Sequence, residues 1–192
     1  MEALEAFAVS ATAVAVGEIG DKTQLVALML AARFRRPVPI IAGILVATLA
    51  NHTLAALVGT WIRQSVDAQY LRWGLGASFL AAGLWALKPD RLEHTETAPV
   101  AHAGVFLVTL GTFFLAEIGD RTQIATMMLA ARYPSLPAVV GGTTLGMLAA
   151  DIPAVLLGQT AADRIPLRLV RWVAAALFAI IGIATLAGLG SD

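Results

Sequence analysis

The chain has 192 residues, of which 58% are hydrophobic and only 14% charged, and its formal net charge is zero. A soluble domain carries roughly 25% charged residues, so this composition predicts an integral membrane protein. The balanced charge argues against a nucleic-acid partner, and the lack of cysteine excludes disulfides, thiolate zinc sites and a cysteine nucleophile.

Six apolar stretches follow one another along the chain, and each approaches or exceeds the roughly 20 residues that a helix needs to cross a bilayer. The first stretch starts acidic and lacks the basic start of a signal peptide, so we expect a true first span and no targeting segment. The sequence therefore predicts an all-α integral membrane protein with six transmembrane helices. The predicted spans are 5–32, 38–62, 70–88, 103–131, 137–160 and 168–189.

The motif Glu-Ile-Gly-Asp-(Lys/Arg)-Thr-Gln occurs twice, at residues 18–24 and, 99 residues later, at residues 117–123. In the longer window that starts at each motif, 11 of 16 positions are identical, and matches at the same offset continue as far as Gly83 and Gly182. The similarity is not confined to the motif, so the chain is predicted to be an internal duplication.

Each repeat holds three predicted spans, an odd number, so the second repeat must enter the membrane from the opposite side. This is the inverted-topology plan of many secondary transporters. The predicted units are a first three-helix repeat at 1–88, a cytoplasmic linker at 89–102 and a second three-helix repeat at 103–192, which together form one transport domain.

The basic residues of the loops predict how the chain is oriented. Eight lie on one side of the predicted membrane and three on the other. By the positive-inside rule both termini face outward, and a compact, untargeted protein of this kind fits a prokaryotic inner membrane. The eight are Arg33, Arg35, Arg36, Lys88, Arg91, Arg164, Arg168 and Arg171, and the three are Arg63, Arg72 and Arg132.

Both motifs place carboxylates inside apolar segments, where ionisable groups are costly and by default mark ion or proton sites. Glu18 lies roughly 18 Å into the first span at about 1.5 Å per residue, and therefore near the bilayer midplane. On a continuous helix Glu18, Asp21 and Lys22 would share one face. A tilt or a break near Gly20 is expected, because the segment is longer than the membrane is thick.

Inverted symmetry would bring the two motifs together in one cavity of oxygen ligands. Hard oxygen ligands suit Ca²⁺, Mg²⁺ or Mn²⁺, whereas copper or zinc would favour thiolate and imidazole. Four carboxylates against Lys22 and Arg121 leave a charge of −2, which one divalent cation or two protons would balance, so we expect exchange of one for the other. The predicted metal ligands are Glu18, Asp21, Gln24, Glu117, Asp120 and Gln123.

A structural explanation of the motifs stays open beside the functional one. Glu18 with Lys22, and Glu117 with Arg121, could form ion pairs one turn apart that only stabilise buried helices. That arrangement would leave the aspartates of both motifs unpaired in a low-dielectric region, which is costly. Both explanations hold together if the basic residue serves as a counter-ion for the empty site.

Other polar residues inside the predicted spans have two interpretations each. Asp151 aligns with His52 in the repeat, and we favour a relay or supporting role for it beside the motifs. Asn51 and His52 could play that part or could only form hydrogen bonds between helices. The motif threonines are expected to bond their own helix backbone rather than a metal. The auxiliary residues of the predicted site are Lys22, Thr23, Arg121, Thr122, Asn51 and Asp151.

The paired Glu-x-Gly-Asp-(Lys/Arg)-(Thr/Ser) signature resembles uncharacterised protein family 0016, whose eukaryotic members include the Golgi manganese/calcium transporter linked to glycosylation. The resemblance covers nearly the whole chain and implies exchange of Mn²⁺ or Ca²⁺ for protons, with the metal as transported substrate, no cofactor and no enzymatic activity. Bacterial members look like manganese exporters, so export of Mn²⁺ from the cytoplasm by alternating access is implied. The ligands implied by the resemblance are Glu18, Asp21, Glu117 and Asp120.

Three other functions are weighed against cation exchange. An exporter of amino acids or other small organic solutes would need partners for a substrate carboxylate rather than four acids. An intramembrane hydrolase would need a cysteine nucleophile, a serine paired with a histidine, or a histidine metal motif. The chain has no cysteine, and His52 is the one histidine within the predicted spans. A non-catalytic membrane scaffold would bind no cation at all.

Overall fold

The computed structural model describes residues 2–88, 104–157 and 167–188, and within these ranges the chain forms helices and no strands. The predicted linker at 89–102 lies outside the described residues, as do Arg91 and Arg164, two of the residues behind the predicted orientation. In chain order the helices are α1 (Glu2–Glu18), α2 (Lys22–Phe34), α3 (Pro37–Ser65), α4 (Ala68–Ala86), α5 (Gly104–Glu117), α6 (Arg121–Arg132), α7 (Leu136–Leu157) and α8 (Leu167–Leu186).

Two of the described helices, α3 and α7, are each long and apolar enough to cross a membrane. The pair α1 and α2 passes the same test when taken together, although its two helices are bent by 68° at the break between them. α5 and the part of α8 from Trp172 to Leu186 are apolar but shorter. The all-helical class is confirmed, with two or three candidate membrane spans among the described residues.

Each copy of the motif breaks a helix at its glycine. Gly20 has a φ of 79° and Gly119 a φ of 74°, a backbone conformation that glycine adopts without the steric cost a side chain would meet. In both copies the break closes with a 3.0 Å hydrogen bond from the aspartate N–H to the glutamate carbonyl. The break expected near Gly20 is confirmed, and its second copy follows the repeat.

The break sets how three residues of the motif are arranged. Glu18 is the last residue of α1, Asp21 is the N-cap of α2, and Lys22 is its first residue. The three residues therefore do not share one face, as they would on a continuous helix. The reason is the glycine between them, which redirects the chain before the next turn can form.

The other helix boundaries follow familiar local signals. Arg35 ends α2 in the left-handed conformation, with φ 52°, and its N–H donates to the carbonyl of Ala31. Pro37 opens α3, where its missing N–H costs no helical hydrogen bond. Asp67 caps α4 by accepting a 3.0 Å hydrogen bond from the N–H of Gln69.

Helices of one predicted repeat pack mainly against helices of the other. α1 lies along α7, α3 lies against α5 and α6, and α4 lies along α8. Small residues permit the closest of these contacts: a Cβ on Gly142 or Gly146 of α7 would collide with the backbone of α1. As a result, the break between α1 and α2 faces α7, and the break between α5 and α6 faces α3.

Candidate cation-binding site

Five carboxylates lie buried around the two helix breaks, each at most 4% exposed. The glutamates end α1 and α5, the aspartates of the motifs stand at the N-caps of α2 and α6, and one further aspartate comes from the middle of α7. Buried carboxylates in this number need cations or protons to balance them. They are Glu18, Asp21, Glu117, Asp120 and Asp151.

Glu18, Asp21 and Asp120 form the tightest group. One carboxylate oxygen from each can be chosen so that all three lie within 4.8 Å of one another. The group draws on both motifs. Glu117 falls outside this group in the described part of the chain, although the sequence assigned it the same role as Glu18.

The basic residue of each motif pairs with the aspartate of the other motif. Arg121 Nη2 lies 3.0 Å from Asp21 Oδ1, and Lys22 Nζ lies 3.5 Å from Asp120 Oδ1. The ion pairs proposed within each motif, between Glu18 and Lys22 and its repeat counterpart, are therefore wrong. Residues one turn apart face each other only on a continuous helix, and the break removes that arrangement. The aspartate of the other motif is the nearer carboxylate.

The motif glutamines hold the breaks. The side-chain oxygens of Gln24 and Gln123 each accept a 2.8 Å hydrogen bond from the backbone N–H of the motif glycine. Gln24 also donates from Nε2 to the carbonyl of Ala150 in α7 at 3.1 Å, which ties the first break to the opposite repeat. The assignment of both glutamines as metal ligands stays a prediction.

The two motif glutamates have different surroundings. Glu117 accepts a 2.6 Å hydrogen bond from Thr48 Oγ1 and a 3.0 Å one from Asn51 Nδ2. Neither carboxylate oxygen of Glu18 has a hydrogen-bond partner among the residues that the structure describes. The sequence did not single out Thr48, although its spacing from Asn51 and His52 puts all three on one polar face of α3 and could have identified it.

Asp151 supplies a fifth carboxylate to the site. It is 0% exposed, and its two oxygens have no hydrogen-bond partner within the described ranges. When these groups are ionised, the charge of Asp151 repels those of Glu18 and Glu117. The site therefore holds five acids against Lys22 and Arg121, and if every group is ionised its charge is −3 rather than the −2 expected from the motifs alone.

The two motif threonines differ from expectation. The hydroxyls of Thr23 and Thr122 are buried without a hydrogen-bond partner in the described part of the chain, so the predicted bonds to their own helices are absent. Each stands second in its helix, and the residue four positions earlier lies in the break. His52 is likewise buried, and neither of its ring nitrogens has a hydrogen-bond partner there.

The free oxygens of the cluster suit a hard divalent cation. Two belong to Glu18 and one each to Asp21 and Asp120, and the two oxygens of Asp151, which lies outside this group of three, are free as well; all six are buried without a hydrogen-bond donor among the described residues. Buried polar atoms are normally satisfied, so these oxygens call for another partner. Carboxylate oxygens are preferred by Ca²⁺, Mg²⁺ and Mn²⁺, so the donor set fits such an ion as transported substrate.

Comparison with known proteins gives one family. The model of the family described as "Divalent cation/proton antiporter GDT1" matches residues 6–94 and 105–191, which include both motifs and Asp151. No solved structure matches the chain.

Similar proteins occur in bacteria and plants. A protein of Vibrio cholerae serotype O1 named "Putative manganese exporter" is 49% identical over 95% of this chain and 90% of its own length. The "GDT1-like protein sll0615" of Synechocystis is 30% identical over 94% of this chain and 96% of its own length. The "GDT1-like protein 5" of Arabidopsis thaliana is 27% identical over 95% of this chain and 96% of its own.

Proposed function

The chain belongs to the divalent cation/proton antiporter GDT1 family, and on this premise we propose that it exports Mn²⁺ from the cytoplasm in exchange for protons. It is a transporter and not an enzyme. Mn²⁺ is favoured over Ca²⁺ because the Vibrio cholerae relative carries manganese in its name. The ion would bind near the middle of the membrane, and alternating access would open the site to one side of the membrane and then to the other.

The observation that carries this proposal is the buried oxygen cluster of Glu18, Asp21 and Asp120 between the two helix breaks. Each aspartate already has a basic partner from the opposite motif, Arg121 or Lys22, which balances part of the charge when no metal is bound. A divalent cation would reduce a site charge of −3 to −1, and one retained proton would balance the rest. Protons would replace the metal on the other side of the membrane.

The six-span inverted repeat is part of the proposal. The packing of α1 on α7 corresponds to that of α5 on α3 when the repeats are exchanged, and α2 on α7 corresponds to α6 on α3. These reciprocal contacts support two antiparallel three-span repeats, 1–88 and 103–192, joined by a cytoplasmic linker at 89–102. We place the protein in a bacterial inner membrane with both termini outside the cytoplasm.

Flux in proteoliposomes tests the proposal. An acidic lumen should accelerate Mn²⁺ uptake by the purified full chain, because protons leaving down their gradient drive the metal inward, and a protonophore should remove the acceleration. Glu18→Gln and Asp120→Asn should abolish uptake. Glu2→Gln, an acid-to-amide change at the exposed start of α1, should leave uptake at the wild-type rate.

The same assay separates the alternatives. A rate of Mn²⁺ uptake that is the same with and without the pH gradient would refute proton coupling. A wild-type uptake rate in Glu18→Gln would show that this residue is not part of the site. Competition by Ca²⁺ would define the ion preference. Competition by amino acids would instead favour an exporter of organic solutes.

A further inference from the structure

The two motifs are nearly identical in sequence, yet only one of their glutamates is held by hydrogen bonds. Both oxygens of Glu117 accept a bond from α3, one from Thr48 and one from Asn51. Glu18 is equally buried, and its oxygens have no hydrogen-bond donor within the described residues. The difference therefore comes from the neighbouring helix and not from the motif.

The repeat shows why the neighbouring helices differ. At the offset of 99 residues, Thr48 corresponds to Met147 and Asn51 to Ala150, and neither of these α7 side chains can donate a hydrogen bond to an oxygen. Neither of these two positions of α7 can therefore hold Glu18 in the way that the corresponding positions of α3 hold Glu117.

Asn51 also anchors the end of the helix that carries Glu117. Its Nδ2 donates to the carbonyl of Phe114 at 2.9 Å as well as to Glu117 at 3.0 Å. Phe114 lies in the last turn of α5, where backbone carbonyls lack helical partners. One amide thus fixes both the last turn of α5 and the carboxylate that ends it.

We propose that Thr48 and Asn51 are positioning residues that hold Glu117 out of the cation site in this conformation, so that the ion is bound through Glu18, Asp21 and Asp120. Glu117 reaches the ion only after α5 moves away from α3 during the transport cycle. The inference rests on the proposed cation transport and adds that the two motif glutamates act at different steps.

The first consequence is a difference between two matched substitutions. Glu18→Gln should weaken Mn²⁺ binding to the purified full chain by more than about tenfold, since it removes a ligand of the resting site. Glu117→Gln should change the dissociation constant by less than about threefold while slowing Mn²⁺ flux in proteoliposomes by more than about tenfold. Free Mn²⁺ is measured by electron paramagnetic resonance during the titration.

The second consequence concerns Thr48 itself. Thr48→Val keeps the shape and removes the hydroxyl, so of the two bonds to Glu117 the one from Asn51 remains and Glu117 is held less firmly out of the site. The dissociation constant for Mn²⁺ should therefore fall, by up to about tenfold for the loss of one hydrogen bond to a charged group. Thr48→Ser keeps the donor and should restore the wild-type value. Thr53→Val is the matched control, since the Thr53 hydroxyl only bonds the Leu49 carbonyl of its own helix.

The outcomes separate this inference from the proposed function. If the wild-type protein neither binds nor transports Mn²⁺, the proposed function fails. If the wild type does both but Glu117→Gln weakens binding as much as Glu18→Gln, the inference is overturned. A folded Thr48→Val protein with unchanged or weaker Mn²⁺ affinity overturns it as well. Should Thr48→Val not fold, the comparison of the two glutamates decides alone.

Discussion

The glycine of the second motif offers a direct test of the helix break. Gly119 has a φ of 74°, and a Cβ built on it would have no neighbouring atom of the described chain within 4 Å, its adjacent residues aside. The change Gly119→Ala therefore introduces no collision. Its effect should come only from the backbone conformation, which an L side chain rarely adopts.

The magnitude follows from that conformation. A left-handed residue other than glycine costs roughly 1–2 kcal/mol, so Gly119→Ala should lower the free energy of unfolding by about that amount. Gly111 lies within α5 and has equally open surroundings. Gly111→Ala should raise the free energy of unfolding by about 0.5–1 kcal/mol, because alanine favours a helix more than glycine does. The two variants should thus differ by about 1.5–3 kcal/mol.

Equilibrium unfolding of the full chain in mixed micelles, followed by the loss of helical circular dichroism, measures this difference. Gly119→Asn should lie between the wild type and Gly119→Ala, because asparagine tolerates the left-handed region. Equal unfolding free energies for Gly119→Ala and Gly111→Ala would refute the argument, since the break would then not depend on the glycine conformation.

Five further substitutions test the site and its packing. Arg121→Gln should lower the free energy of unfolding by about 3–5 kcal/mol, because both side chains of the ion pair that it breaks are buried. Lys22→Gln should cost less, because the Lys22 side chain is 32% exposed and solvent screens its pair with Asp120. Equal losses in a denaturant titration would contradict this. Gly142→Ala should lower the unfolding free energy by about 1–3 kcal/mol, because its Cβ would meet the backbone of α1. Its neighbour is the control: a Cβ on Gly141 makes only ordinary contacts, so Gly141→Ala should stay within about 0.5 kcal/mol of the wild type. Asp151→Asn should keep the fold and reduce the Mn²⁺ tolerance of expressing cells; full tolerance would place Asp151 outside the transport site.

The apolar stretches and the repeat could be identified from the sequence because both depend on local chemistry. Stretches such as 38–62 and 70–88 match α3 and α4 within three residues at either end, since their length and hydrophobicity suffice to define a helix. The break at Gly20 was expected from segment length, and the meeting of Glu18 with Asp120 follows from two copies of one motif in a folded repeat.

The partners of the site residues were beyond the reach of the sequence. Pairing of Lys22 and Arg121 within their own motifs was one of the explanations that the sequence left open, and the breaks and the helix packing instead bring each to the aspartate of the other motif. The sequence favoured a supporting role for Asp151 beside the motifs, but the contact that puts it near Glu18 comes from the packing of α7 against α1 and α2.

The doubled motif by itself determined that this chain carries two sets of acids at a fixed spacing within apolar segments, because residue type and spacing are written in the sequence. Only the tertiary structure decided that its two glutamates are not equivalent. Glu117 meets Thr48 and Asn51 of α3, whereas the corresponding positions of α7 offer Glu18 no donor. A hydrogen bond requires atoms about 3 Å apart, and such a distance between segments far apart in the chain is set by helix packing.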